Sequence, residues 1–370
     1  MRRPPVSERA RQLCAGAEVI DLHIDTFIPM RLWGYDPKRC HPSFPGWFFG
    51  HLDAPRMVRH GLKGAMWSIT TQPFRSRARR WRTFLKNVER LTRQVEAAGP
   101  FRVVGDGASY RAARSARQMP VLISVQGAHA VDGARDDLSD VPHSVWRLTL
   151  VHLTPTAWGA PSSPLHRVRR HKGLTAFGRA RVEAMNARRI FVDLAHLHPR
   201  AFWDGLDAHR PDLPPLVTHA GVAGVHRHWR NVEDDQIRAI ADRGGVIGVI
   251  TAGLYLGRTF GGDGAALWAR HVEHLIRVGG EDVAAIGTDF DGFIVPAAGI
   301  RGAHAYPRFV QALLDRGFSE ERIRKVLGGN ALRVIDQLRP AAADAGANRE
   351  PSIGGNGRVD PEAPRFPSGA

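Results

Sequence analysis

The 370-residue sequence predicts an α/β protein folded as a TIM-type (β/α)8 barrel. Eight short runs rich in Val, Ile and Leu are apolar on both faces, as buried parallel strands are when helices cover the sheet. Amphipathic helical patterns separate them. Most of the runs also carry a ligand-type polar residue at the C-terminal end, and that is the end where such barrels gather their chemistry.

The strands are expected at VIDLHID (19–25), GLKGAMWSIT (61–70), PVLISVQG (120–127), VWRLTLVHL (145–153), RIFVDLAHL (189–197), PPLVTHAG (214–221), GVIGVITAG (245–253) and VAAIGTDFDG (283–292). Between and after them, RTFLKNVERLTRQVEAA, GLTAFGRARVEAMNA, DDQIRAIADR, GAALWARHVEHLIRVG and RFVQALLDRG repeat apolar residues at helical spacing. Ser319 followed by Glu320 starts a further helix, and Gly328 and Gly329 are expected to stop it. No repeat of solenoid period occurs. Residues 16–339 read as a single barrel domain, 1–15 as a loosely ordered N-terminus, and 340–370, rich in Ala, Gly and Pro without periodicity, as a disordered tail.

Composition narrows the class. Cys14 and Cys40 are too few for a disulfide framework or a four-cysteine zinc site, and read as unpaired thiols in a reducing compartment. The N-terminus lacks the apolar run of a signal peptide, and no stretch approaches the roughly 20 apolar residues of a membrane helix. The polar C-terminus carries no lipid-anchor signal. A cytoplasmic protein without a membrane partner is expected. The net charge of +16 is concentrated in runs at Arg75–Arg82 and His166–Lys172. These read as solvated surface, with an acidic partner as the alternative; no recognisable nucleic-acid motif accompanies them.

The positions of the polar residues suggest chemistry. The first run ends in His23 and Asp25, the third in Gln126, the fourth in His152, the fifth in His196 and the sixth in His219; the last carries Asp289 and Asp291. His23 and Asp25 are two apart in a strand, so both point to the same side and can chelate one ion. Zinc takes imidazole nitrogen and carboxylate oxygen at about 2.0–2.2 Å and keeps an open position when catalytic. Any one of these histidines alone could be a hydrogen-bonded core residue; their recurrence at successive strand ends argues for a site. No GxSxG elbow, P-loop or HExxH competes. The GGDG beginning at Gly261 reads as a loop.

The stretches DLHID, GHLDAPRMVRHGLKGAMWS, LTLVH, FVDLAHLH, VTHAGV, HWRNVEDD, IGTDFDG and GFSEERIRKVLGGNALRV, in this order, resemble the membrane dipeptidase (renal dipeptidase, peptidase M19) family from about residue 19 to residue 336. The resemblance implies a TIM barrel of metal-dependent hydrolase type with two zinc ions. His23 and Asp25 would hold one, His196 and His219 the other. A family glutamate bridges the two from the third strand. His152 is similar to the residue that contacts the scissile group, Arg230 to the arginine that binds the substrate's terminal carboxylate, and Asp289 to the proton-transfer carboxylate. Tyr255 would line the same pocket. The implied activity is hydrolysis of a dipeptide or similar small amide by water activated on the metal. Barrels of this kind often associate, so a homodimer is one expectation.

One position departs from the family pattern. Gln126 stands where the bridging glutamate is expected. A neutral amide bridges two zinc ions poorly and leaves their repulsion less screened. Three outcomes are open: a two-metal dipeptidase with altered affinity, a one-metal hydrolase acting on another small amide or ester, or a barrel that binds or regulates without catalysis.

Overall fold

The described residues form nine parallel strands, all but β3 at the apolar runs: β1 (Val19–Ile24), β2 (Leu62–Thr70), β3 (Phe101–Val103), β4 (Met119–Gln126), β5 (Val145–Thr149), β6 (Phe191–Asp193), β7 (Leu216–Ala220), β8 (Val246–Val249) and β9 (Ala284–Ile286). In the computed structural model, which describes residues 5–41, 47–164 and 172–340, they run in the order β2-β1-β9-β8-β7-β6-β5-β4, and β2 pairs again with β4, from Ala65↔Val121 to Thr70↔Gln126. That pairing closes an eight-stranded barrel, as expected. The ninth strand, β3, lies outside the ring and pairs with the start of β4, Phe101↔Met119 to Val103↔Val121. At three residues, one of them Arg102, it carries too little apolar pattern to be read from sequence.

The helices follow the sequence patterns and pack their apolar faces on the barrel. Gly264–Gly279 forms with Asp263 as its N-cap, accepting from Ala265 N (3.0 Å), and buries Trp268, Val272 and Leu275. Ala176–Ala187 is capped by Thr175, whose hydroxyl accepts from Gly178 N (2.9 Å). The core has two apolar clusters, the larger with fully buried Trp67, Trp158 and Trp268 among its largest members and a smaller one around Leu22, Met66, Leu122 and Trp146.

Three expectations are corrected. Residues 8–16 are not loose: they form a helix, capped by the Ser7 side chain at 3.1 Å from Ala10 N, that buries Ala10, Leu13 and Cys14. Their apolar stripe covers the helix Ala305–Asp315, which would otherwise expose its outer face. Gly328 and Gly329 do not stop the chain, which passes through a π-turn (Lys325–Gly329) into a further helix, Asn330–Leu338. A Cβ at Gly328 would sit 1.7 Å from Glu18 O, so this glycine permits close approach to the start of β1. Several strands also end earlier than the apolar runs, for reasons that concern the site.

Arg80, in the first basic run, is tied inward rather than free in solvent: its guanidinium donates to Asp132 Oδ2 (2.5 Å) and to His129 O (2.9 Å). Residues 165–171, which hold most of the second basic run, and the tail from 341 onward lie outside the described residues. Both cysteines are free, Cys14 buried and Cys40 exposed. Among the described residues no helix is long and apolar enough to cross a membrane.

Candidate metal centre

The C-terminal mouth of the barrel opens into a cavity of about 470 Å³. Asp25, Gln126, His152, His196, His219, Arg230, Tyr255 and Asp289 all line it, with His23 directly behind Asp25 and Asp289. The residues singled out from sequence, other than Asp291, therefore arrive at one place.

The chain reaches the mouth in two ways. His23, Gln126 and His219 stand in the strands themselves and point inward with the strand period, and Asp25 directly follows β1. His152, His196 and Asp289 lie past the ends of β5, β6 and β9, three residues beyond each strand. Their runs end early because the backbone turns. His196, Asp289 and Asp291 have φ of +67°, +61° and +66°, in the left-handed region that non-glycine residues seldom occupy. Such turns aim side chains into the mouth that a continuing strand would carry away, and they concentrate at functional sites.

A buried ionic network beneath the mouth fixes the ligands. Arg147, at the centre of the barrel, donates to Asp193 Oδ2 (2.5 Å), Ser124 Oγ (2.8 Å) and His23 Nδ1 (3.0 Å). Asp193 Oδ2 also accepts from the Thr149 and Thr218 hydroxyls at 2.6 and 2.7 Å. The Thr218 proton thus goes to Asp193, so this hydroxyl accepts from His219 Nδ1–H at 2.9 Å. That bond sets the tautomer of His219 and leaves its Nε2 bare toward the cavity. Likewise Asp21 is held by Thr288 and Tyr306 (2.6 and 2.9 Å) and ties β1 to β9. Asp291 faces away from the cavity, held by Thr26 Oγ1 (2.7 Å) and His51 N (2.9 Å). Sequence reasoning missed Arg147, Asp193 and Thr218. Their signal was a charged residue inside each of the apolar runs VWRLTL and FVDLAHL.

The mouth is electrostatically divided. On one side His23 Nε2 lies 3.3 Å from Asp25 Oδ2 and 3.4 Å from Asp289 Oδ1. Burial alone would lower His23, but the two carboxylates outweigh it and hold the imidazole above its ordinary value. Burial pushes Asp289 up to about 6. On the other side His196 and His219 face each other with Nε2 atoms 2.8 Å apart, and Gln126 Nε2 is 3.2 and 3.4 Å from them. Burial, reinforced by the positive charge of Arg230, drives both imidazoles well below their usual range. Burial likewise holds His152 down at about 3. Arg230 donates to His219 O (2.8 Å) but pairs with no carboxylate among the described residues.

This donor set fits a divalent cation. One ligand atom each from His23, His219 and Asp289 lies within 4.8 Å of the other two. The Oδ1 atoms of Asp25 and Asp289 are buried without a hydrogen-bond donor, an arrangement that is costly unless a cation or proton completes it. A cation on His23 Nε2 would replace the proton that this nitrogen shares with the carboxylates. His219 stands beside His196 and also beside His23, the His23 and His219 rings stacked at 3.9 Å.

The sequence matches the model of membrane dipeptidase, peptidase family M19, over residues 7–349. The chain belongs to the membrane dipeptidase family. Among solved structures, dipeptidase AC, a metallo peptidase of family M19, is 26% identical with a TM-score of 0.75, covering 88% of this chain and 99% of its own. A metallo peptidase from Rhodobacter sphaeroides, liganded with a phosphinate mimic of the dipeptide L-Ala-D-Ala, is 25% identical with a TM-score of 0.74 and covers 87% and 99%. A Klebsiella pneumoniae protein described as uncharacterized, in the pqqA 5′ region, is 29% identical over 254 residues, 66% of this chain and 91% of its own length. Family and structural relatives together support a metal-dependent dipeptidase or amidohydrolase.

Proposed function

We propose that this membrane dipeptidase family member hydrolyses the peptide bond of dipeptides or similarly small amides, with zinc as its metal. The observation that carries this reading is the opposition of two features across one cavity. Orphaned carboxylate oxygens of Asp25 and Asp289 face it from one side, and the buried, unpaired guanidinium of Arg230 lines it on another. A cation held by His23, Asp25 and Asp289 would supply Lewis-acid activation of carbonyl and water.

The chain's own residues supply the rest. Arg230 offers a planar fork to the free carboxylate of the substrate, which fixes the position of the scissile bond and favours short peptides over internal ones. His152, neutral at working pH, can donate an N–H to the oxygen that gains charge as the carbonyl becomes tetrahedral. Asp289 can accept a proton on the oxygen that a cation leaves free and return it to the leaving amine. Tyr255 closes the wall next to Arg230, and the apolar side chains of Ile28, Leu32, Leu153 and Phe293 line the outer cavity and leave room for a substrate side chain. The relative bound to a dipeptide mimic supports the same substrate class.

The test is hydrolysis of L-Ala-D-Ala and of its C-terminal amide by zinc-loaded protein. Turnover of the free acid, abolished by His23→Ala and by Asp289→Asn in folded protein, is the expected result. No turnover of any dipeptide by zinc-loaded wild type, or full turnover by His23→Ala, overturns the reading.

A further inference from the structure

The mouth contains a fixed number of anions, and each can be accounted for. Asp21, Asp193 and Asp291 are buried close by, but their oxygens are taken by Thr288 and Tyr306, by Arg147, Thr149 and Thr218, and by Thr26 and His51. Among the described residues, no glutamate lines the cavity. Of the described carboxylates at the mouth, Asp25 and Asp289 carry the oxygens without a hydrogen-bond partner. The two carboxylates converge beside Gly292, where a Cβ would meet Asp289 Oδ1 at 2.3 Å and Asp25 Oδ2 at 2.9 Å. The negative charge of the site is thus gathered on the His23 side.

The opposite side has none. His196 and His219 satisfy each other, since a single proton between Nε2 atoms 2.8 Å apart makes a complete hydrogen bond. Gln126 lies against both, and its other amide atom accepts from Thr70 Oγ1 at 3.2 Å. Rotating the amide exchanges its oxygen and nitrogen without adding charge. Arg230 supplies a positive charge to the same side. Two dications in one site sit roughly 3.5–4 Å apart and repel strongly, and a shared anion is what makes the arrangement stable. Here the residue between the two halves is neutral.

We propose that this site holds one divalent cation, bound on the His23–Asp25–Asp289 side, and that the Gln126 amide spans the place a second cation would need an anion to fill. The inference rests on the metal-dependent reading above. The half without carboxylates, with His152 and Arg230, is left to bind the anionic parts of the substrate. Gln126 is then a positioning residue whose amide packs against the His196–His219 pair.

The experiment counts ions without using turnover. Metal-free wild type, Gln126→Glu and Gln126→Ala are titrated with zinc at pH 7.5 by calorimetry, and the loaded proteins are desalted and analysed for metal. Wild type is expected to hold one zinc per chain. Gln126→Glu should hold two, the second bound at least about 100-fold tighter than any second ion in wild type, since even outer-shell partners are worth 10–100-fold in metal affinity. Gln126→Ala should keep one zinc with its affinity changed less than about tenfold. Two zinc ions of comparable affinity in wild type, or a folded Gln126→Ala with none, would overturn the one-cation proposal and leave the hydrolase reading standing. No zinc in wild type would overturn both. If Gln126→Glu fails to fold, the wild-type and alanine counts decide the matter.

Discussion

Removing the carboxylate of Asp193 tests how the barrel interior supports the site. Asp193 is fully buried and is the counterion of the equally buried Arg147 at 2.5 Å. It also accepts from Thr149 and Thr218 hydroxyls and, through Oδ1, from the Ala195 and Thr218 amides at 3.1 and 3.0 Å. Asp193→Ala leaves a guanidinium in the core with no counterion and two amides without acceptors. Breaking a buried pair from one side costs about 3–5 kcal/mol, a large share of the roughly 5–15 kcal/mol that stabilises a domain. Arg147→Met/Asp193→Leu removes both charges and should return to within about 2 kcal/mol of wild type; with Arg147→Met and Asp193→Leu measured alone, the cycle should show a coupling of at least about 2 kcal/mol. Equilibrium urea unfolding at pH 7.5 reads these values. Asp193→Ala should also bind zinc about 10–100-fold more weakly, because Thr218 no longer fixes the tautomer of His219. A loss below about 1 kcal/mol for Asp193→Ala, or a double variant as unstable as the sum of the singles, would refute the reasoning.

Other predictions concern protons and substrate. His271 is buried; its Nδ1 accepts from Val222 N (2.9 Å) and its Nε2 lies 3.2 Å from Leu256 O. Burial holds its pKa down at about 4. Its unfolded value is near 6.5, so between these limits the unfolded chain binds the extra proton, and the stability present above pH 6.5 is lost as pH falls toward 4. His271→Gln should reduce the loss in unfolding free energy between pH 7.5 and 5.5 by about 1.4 kcal/mol; an unchanged loss contradicts the assignment. Arg230→Lys should raise KM for L-Ala-D-Ala by about 10–100-fold and leave the amidated analogue nearly unaffected, because an ammonium cannot grip a carboxylate with two parallel bonds. Equal effects on both substrates would remove Arg230 from carboxylate binding. Leu153→Asp, at an exposed position on the cavity rim, should lower kcat/KM for dipeptides with large apolar side chains more than for L-Ala-D-Ala. A uniform loss across substrates would show that the rim does not contribute to selectivity.

The eight barrel strands were legible because a parallel strand covered by helices must be apolar on both faces, and few other segments in a chain are. His23 and Asp25 were legible for a related reason: two residues apart on a strand means one direction. His152, His196 and Asp289 were recognisable as residues but not as loop positions. Apolar runs such as RIFVDLAHL continue past the point where the backbone leaves the sheet, and nothing in the letters marks the left-handed turn at His196 or Asp289. The Arg147–Asp193 pair was hidden because its partners stand 46 residues apart and meet only when β5 lies beside β6. A lone charge in an apolar run reads as an interruption until its partner is placed. The N-terminal helix was missed because its polar residues Glu8, Arg9, Arg11 and Gln12 outnumber its three buried residues, and its packing partner, Ala305–Asp315, lies nearly three hundred residues away.

The central claim is that side chains from distant parts of the chain meet at the barrel mouth and hold a cation there. An anomalous difference map at the zinc edge, from crystals of zinc-loaded protein, tests it most directly. A peak about 2.0–2.2 Å from His23 Nε2 and from oxygens of Asp25 or Asp289 is the result expected. Zinc found only at other histidines, or no peak at the mouth of fully loaded protein, would contradict it.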